Sequence, residues 1–165
     1  DVFEEWYWSL LYYTLETQHN RYDAFYPVRY NINATWFVNA KPWFERLADA
    51  LDSAQEEIFL TNWWTSPEVF LRRSEHPKLK DRFDHLLKAK AEEGVRIYMI
   101  LWNETKVAQE GLMNRYAAQV FSSLHENFKI MMHPVQEPIV WAHHQKTVVI
   151  DQRIAFQGGI DVCWG

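Results

Sequence analysis

The chain has 165 residues, 48% of them hydrophobic, which is the size of one domain with enough apolar surface to bury a substantial core. A net charge of -5 and a pI near 5.8 give no concentrated basic surface, and this disfavours nucleic acid as a partner. The single cysteine, Cys163, excludes an internal disulfide and is compatible with a cytoplasmic setting. No apolar run approaches the roughly 20 residues of a membrane-spanning helix, so any membrane contact is expected to be peripheral. Nine tryptophans, eight tyrosines and ten phenylalanines exceed what a core of this size usually holds. Some of these rings are therefore expected to face a partner lobe, a substrate or a membrane surface. The chain opens on Asp1 with no leader-like stretch and reads as an excised segment.

In chain order, Phe3 to Thr17 reads as a helix, with Trp6, Leu10, Tyr13 and Thr17 along one stripe. The polar run Gln18 to Asp23 and the extended Tyr26-Pro27 pair set a boundary near residue 20. Residues 1–20 are thus expected to be a helical segment, the tail of an upstream regulatory domain, and residues 21–165 the main domain. Trp36 to Val38 reads as a short strand. Pro42 suits the first turn of a helix whose buried stripe is Phe44, Leu47, Ala48 and Leu51. Glu57 to Trp63 is a strand. Leu79 to Glu93 is a helix closed by Gly94, where a left-handed residue is wanted. Val95 to Trp102 is a strand, Gly111 to Asn127 a helix, and Phe128 to Met132 a strand. Such alternation implies crossover units and an α/β fold: a mixed, largely parallel sheet flanked by helices.

The segment that carries chemistry is Trp141-Ala-His-His-Gln-Lys-Thr-Val-Val-Ile-Asp151, followed by a turn, a short strand Ile154 to Gln157, Gly158-Gly159 and Asp161. Strand side chains alternate faces, so His144 and Lys146 project to one side and His143 to the other. An imidazole beside an ammonium suits a phosphate. Val148, Val149 and Ile150 then anchor the reactive end on a rigid element. Asp151, five residues beyond Lys146, sits where it can shape the turn.

With Tyr26-Pro-Val-Arg, Trp36-Phe-Val-Asn-Ala-Lys, Glu57-Ile-Phe-Leu-Thr-Asn-Trp-Trp, Gly94-Val-Arg-Ile and His143-His-Gln-Lys-Thr-Val-Val-Ile-Asp, the chain from about Arg21 onward resembles the N-terminal catalytic lobe of the phospholipase D family. Trp63-Trp64 with Ser66-Pro67-Glu68, the doubled histidine and Gly158-Gly159-Ile-Asp look like its eukaryotic lipases; Asn62 departs from the Asp that commonly precedes the paired tryptophans. The resemblance implies one lobe of a two-lobe fold, and hydrolysis of phosphatidylcholine to phosphatidic acid and choline. It makes His144 the nucleophile that forms a phosphohistidine, Lys146 the cation for phosphoryl oxygens and Asp151 the third motif member. Asp161 falls where the family places a residue near the phosphate, and Trp63, Trp64 and Trp141 are candidates for a rim that meets lipid. Only one such motif is present, so the segment is expected to be inactive alone and to need a second His-Lys-Asp lobe. No cofactor and no metal are expected, since the histidines and carboxylates lack zinc-like spacing. The alternatives are a homodimeric nuclease built on the same motif and a non-catalytic membrane- or protein-binding lobe.

Overall fold

The computed structural model describes residues 2–17, 29–104, 113–134 and 142–164. The chain divides into two compact units, Asp1–Trp36 and Phe37–Gly165. In the first, helix α1 (Val2–Thr17) stacks Phe3 on Tyr7 one turn later, with ring centroids 6.5 Å apart.

Among the described residues the second unit is a five-stranded sheet flanked by three α-helices: α2 (Ala40–Asp52), β1 (Glu57–Asn62), α3 (Phe83–Glu92), β2 (Arg96–Trp102), α4 (Asn114–Leu124), β3 (Phe128–His133), β4 (Thr147–Ile150) and β5 (Ile154–Gln157). The strand order is β3-β2-β1-β4-β5. β1, β2 and β3 pair in parallel through α3 and α4 as crossovers, while β4 and β5 add antiparallel beside β1. The sheet is mixed, and the change of direction falls between β1 and β4.

Alternation along the strands decides which face is covered. Ile58 and Leu60 of β1, Ile97, Met99 and Leu101 of β2, and Val148 and Ile150 of β4 are buried in one cluster with Phe44, Leu47 and Leu51 of α2, Phe83 and Leu87 of α3, and Phe121 of α4. Truncating one of these, as in Leu60→Ala, should cost about 2–5 kcal/mol. On the opposite face Phe59 and Tyr98 stack at 5.0 Å, and Met131 is half exposed.

The helix ends follow local chemistry. α3 closes in a Schellman motif: Gly94 has φ 98°, its N–H donates to Ala91 O at 3.0 Å, and Val95 N–H donates to Lys90 O at 3.0 Å. The expected helix from Leu79 is broken, because Arg82 is extended between a 3-10 turn, Leu79–Asp81, and α3. There Phe83 and Asp84 donate their N–H groups to Val69 O and Pro67 O, so α3 starts on loop partners and not on the preceding turn. The strand expected at Trp36 to Val38 does not form: the backbone is irregular, and Trp36 and Val38 are exposed. Among the described residues no strand pairs with these three β-prone residues.

Candidate active site

Because β1, β2 and β3 are parallel and in register, their C-terminal ends lie side by side, and Trp63, Trp102 and His133 emerge at one edge of the sheet. β4 runs the other way beside β1, with Thr147 opposite Thr61, so the residues just before β4 arrive at that same edge. The carboxyl ends of parallel strands at a point where the order switches are where open α/β sheets bind ligands. Here that point carries His143, His144 and Lys146.

Trp63 is the shared neighbour. Its indole stacks on Trp102 at 5.8 Å, meets the His144 imidazole at 5.2 Å, and lies under Lys146 Nζ at 5.5 Å. His144 is exposed, whereas Lys146 is buried and continues the inward pattern of Val148 and Ile150. A buried ammonium needs partners. Lys146 Nζ finds Asp161 Oδ2 at 3.1 Å and His144 O at 3.2 Å. The other oxygen of Asp161 accepts the N–H groups of Trp63 at 3.0 Å and Trp64 at 3.2 Å. Asp161 is therefore committed on both oxygens to holding the lysine and the tryptophan turn.

His143 turns to the other neighbour. Its ring packs on His133 at 5.0 Å, and its Nδ1 is buried without a hydrogen-bond partner among the described residues. Burial pushes this imidazole below its ordinary value; His133 pushes the same way, a main-chain contact at Asn62 opposes, and Lys146 and His144 add to the lowering.

Asp151 lies beyond the far end of β4. Its oxygens accept the main-chain N–H groups of Gln55, Glu56 and Glu57, each at 2.9 Å, which ties the β4–β5 turn to the start of β1. Burial alone would raise this carboxyl, but the bonds from Glu57, Glu56 and Gln55, with nearby Arg153, outweigh it and hold the group below its ordinary value. Trp64 is half-buried, and Trp141 lies outside the described residues. Among the described residues no group of three or more histidines, cysteines or acids is placed to hold a metal ion.

Other buried polar residues hold the turn after β1, among them Asn62, which stood out in the sequence as a departure from an Asp, and Asn114 and Glu104, which did not stand out. Asn62 is buried; with its carboxamide oxygen facing donors it accepts from Thr65 Oγ1 at 3.1 Å and Val162 N at 3.2 Å, and its nitrogen donates to Thr61 O at 2.9 Å. An aspartate there would lose the last bond. Asn114 and Glu104 are also buried behind Trp63. Asn114 opens a helix, yet its side chain bonds to Trp63 and Thr65.

A family model described as Phospholipase D matches residues 50–165. Phospholipase D1 of Rattus norvegicus is 45% identical over 149 residues, covering 88% of this chain and 14% of that protein. Phospholipase D B of Dictyostelium discoideum is 42% identical over 145 residues (87% and 12%), and Phospholipase D2 of Bos taurus 44% over 148 (90% and 16%). The crystal structure of Nuc, a phospholipase D family member from Salmonella typhimurium, superposes with a TM-score of 0.50 at 15% identity, covering 72% of this chain and 64% of that one, a likeness of fold. The chain belongs to the phospholipase D family. It spans between 12% and 16% of the length of these curated relatives. No described helix is long and apolar enough to cross a membrane.

Proposed function

We propose that this chain supplies one half-site of a phospholipase D that hydrolyses phosphatidylcholine to phosphatidic acid and choline at the membrane surface, with residues 21–165 as the N-terminal catalytic lobe. The observation that carries the reading is the convergence of His144 and Lys146 on Trp63 at the switch point of the sheet. A neutral His144 nitrogen attacks phosphorus; the N–P bond forms as the bond to the choline oxygen breaks, and a second histidine, contributed by another lobe, protonates that oxygen. Water then attacks the phosphohistidine, releasing phosphatidic acid and restoring the imidazole. Lys146 offsets the phosphoryl charge. Asp161 acts through Lys146, holding it in place, since a carboxylate facing an anionic phosphate directly would repel it. The net charge of -5 favours this zwitterionic substrate over a polyanion.

The test is complementation. Residues 1–165 alone are expected to leave phosphatidylcholine vesicles intact, and to gain activity when a C-terminal lobe with a second His-Lys-Asp motif is supplied. Robust hydrolysis by the purified monomer would remove the two-lobe reading. Tight, steeply salt-dependent binding of single-stranded DNA by the completed protein, with no affinity for neutral vesicles, would replace the lipase by a nuclease.

A further inference from the structure

We infer that Asn114 is a positioning residue of the His144–Lys146 site, acting through the main chain of Trp63, with Glu104 fixing Asn114 in turn. The meaning of the site rests on the phospholipase D reaction proposed above; the positioning itself rests on hydrogen bonds. β1 ends at Asn62, so the amide groups that follow have left the ladder and need partners from elsewhere. Asp161 takes two of the donors. Asn114, fully buried, takes the rest of the turn: its Nδ2 donates to Trp63 O at 2.7 Å and its Oδ1 accepts from Thr65 N at 3.1 Å.

A carboxamide suits this place because it is donor and acceptor at once. Aspartate would press a carboxylate against the Trp63 carbonyl, and alanine would leave both groups of the turn without partners. Asn114 opens α4, yet its side chain does not cap its own helix. That task falls to Glu104, 3% exposed, whose oxygens accept the N–H groups of Asn114 at 3.2 Å and Arg115 at 3.5 Å. A carboxylate at a helix N-terminus is electrostatically favoured, so the start of α4 is a fixed point. From it the linkage runs through Asn114 to the Trp63 backbone, and through the indole to His144 and Lys146. A nucleophile displaced by about 1 Å can lose about 10²-fold in rate, which is what such a linkage prevents.

The experiment uses the full-length protein and two readouts, turnover of a soluble short-chain phosphatidylcholine and carbethoxylation of His144 by diethyl pyrocarbonate. The second needs no turnover and takes exposed His76 as its internal reference. Asn114→Ala is expected to lower kcat by about 10- to 100-fold with KM nearly unchanged, and to change the labelling of His144 relative to His76. Wild-type kcat and labelling in the folded variant, with only a lower Tm, would overturn the inference. Should Asn114→Ala fail to fold, Trp63→Phe and Trp63→Ala decide, since both keep the main-chain bonds: activity retained by Phe and lost by Ala supports the linkage, and wild-type rates in both overturn it. If the full-length protein hydrolyses no phospholipid at all, the functional reading fails, and the labelling alone judges the positioning.

Discussion

Asp151 and Asp161 perform the same chemistry at the two ends of the β4–β5 hairpin. Each gives its oxygens to main-chain N–H groups of a segment more than ninety residues earlier, Asp151 to Gln55 through Glu57 at the start of β1, Asp161 to Trp63 and Trp64 just past its end. They differ in one partner. Asp161 also holds Lys146 at 3.1 Å, so its staple is part of the site, while Asp151 is separated from Lys146 by the length of β4, about 16 Å at the usual rise per residue. One end of β1 is fastened to make the sheet; the other is fastened to aim a lysine and a histidine. A carboxylate is suited to both because an ionised oxygen accepts several N–H groups strongly.

The largest expected effects lie at the site end. On the proposed mechanism both hydrolysis and head-group exchange with a primary alcohol pass through one covalent intermediate, so in the complete protein His144→Ala should abolish both, a loss on the order of 10⁴-fold. Lys146→Ala should be nearly as damaging. A chromogenic choline-release assay and a transphosphatidylation assay measure the two reactions separately, and near-normal rates in His144→Ala would show that the nucleophile is elsewhere.

The two aspartates should then part company. Asp161→Asn keeps an acceptor for Trp63 and Trp64 but leaves Lys146 buried without its counter-charge. Breaking a buried pair costs about 3–5 kcal/mol, and kcat should fall with it. Asp151→Asn weakens charge-assisted bonds at the other end, a loss of about 1.5–3 kcal/mol, and should leave the specific activity of the folded fraction unchanged. Denaturant titration and kinetics on the same samples distinguish the two. If Asp151→Asn slows the folded enzyme as much as Asp161→Asn does, the separation of roles is wrong.

What the sequence disclosed of this arrangement depended on how local each cause was. His144 and Lys146 were legible as residues two apart leading into a strand, although both lie just before β4 and not on it, and Gly94 because a helix end asks for a left-handed residue. The Asp151 turn was legible for a similar reason, though Asp151 and Gln152 both being left-handed was not. Asn114 was hidden, since its partners depend on which strands become neighbours: it bonds Trp63 and Thr65 from 49 or more residues away. Asn62 stood out as the place where an Asp is common, while its bond to Val162 was not legible. Trp63 was expected at a lipid-facing rim, and nothing in its neighbourhood distinguishes an indole facing lipid from one facing a histidine. Its contacts with Trp102, His144 and Lys146 make Trp63→Ala primarily a test of the site and of stability.

The smallest expected effect separates the two ends of the sheet by pH. At the site end, His143 is held below its ordinary value, first by burial and then by His133 from β3, with His144 and Lys146 from its own segment adding positive charge and Asp161 balancing Lys146. The folded state thus prefers this imidazole neutral, so its contribution is whole above the ordinary histidine range, about 6.5, and is lost as pH falls through the depressed folded value. At the far end, Asp151 is also depressed, so its contribution is whole above the ordinary carboxylate range, about 4, and is lost only below that. Thermal unfolding followed from pH 7 downward should therefore show a shallow first decline in Tm below about 6.5 and a steeper one below about 4. His143→Gln removes the ring that must stay neutral and should flatten the first decline while sparing the second. Asp151→Asn should do the reverse. His133→Gln, which takes away only the neighbouring ring, should soften the first decline less than His143→Gln does, because burial is the larger cause. If His143→Gln left the first decline intact, acid sensitivity at the site end would have to come from another group.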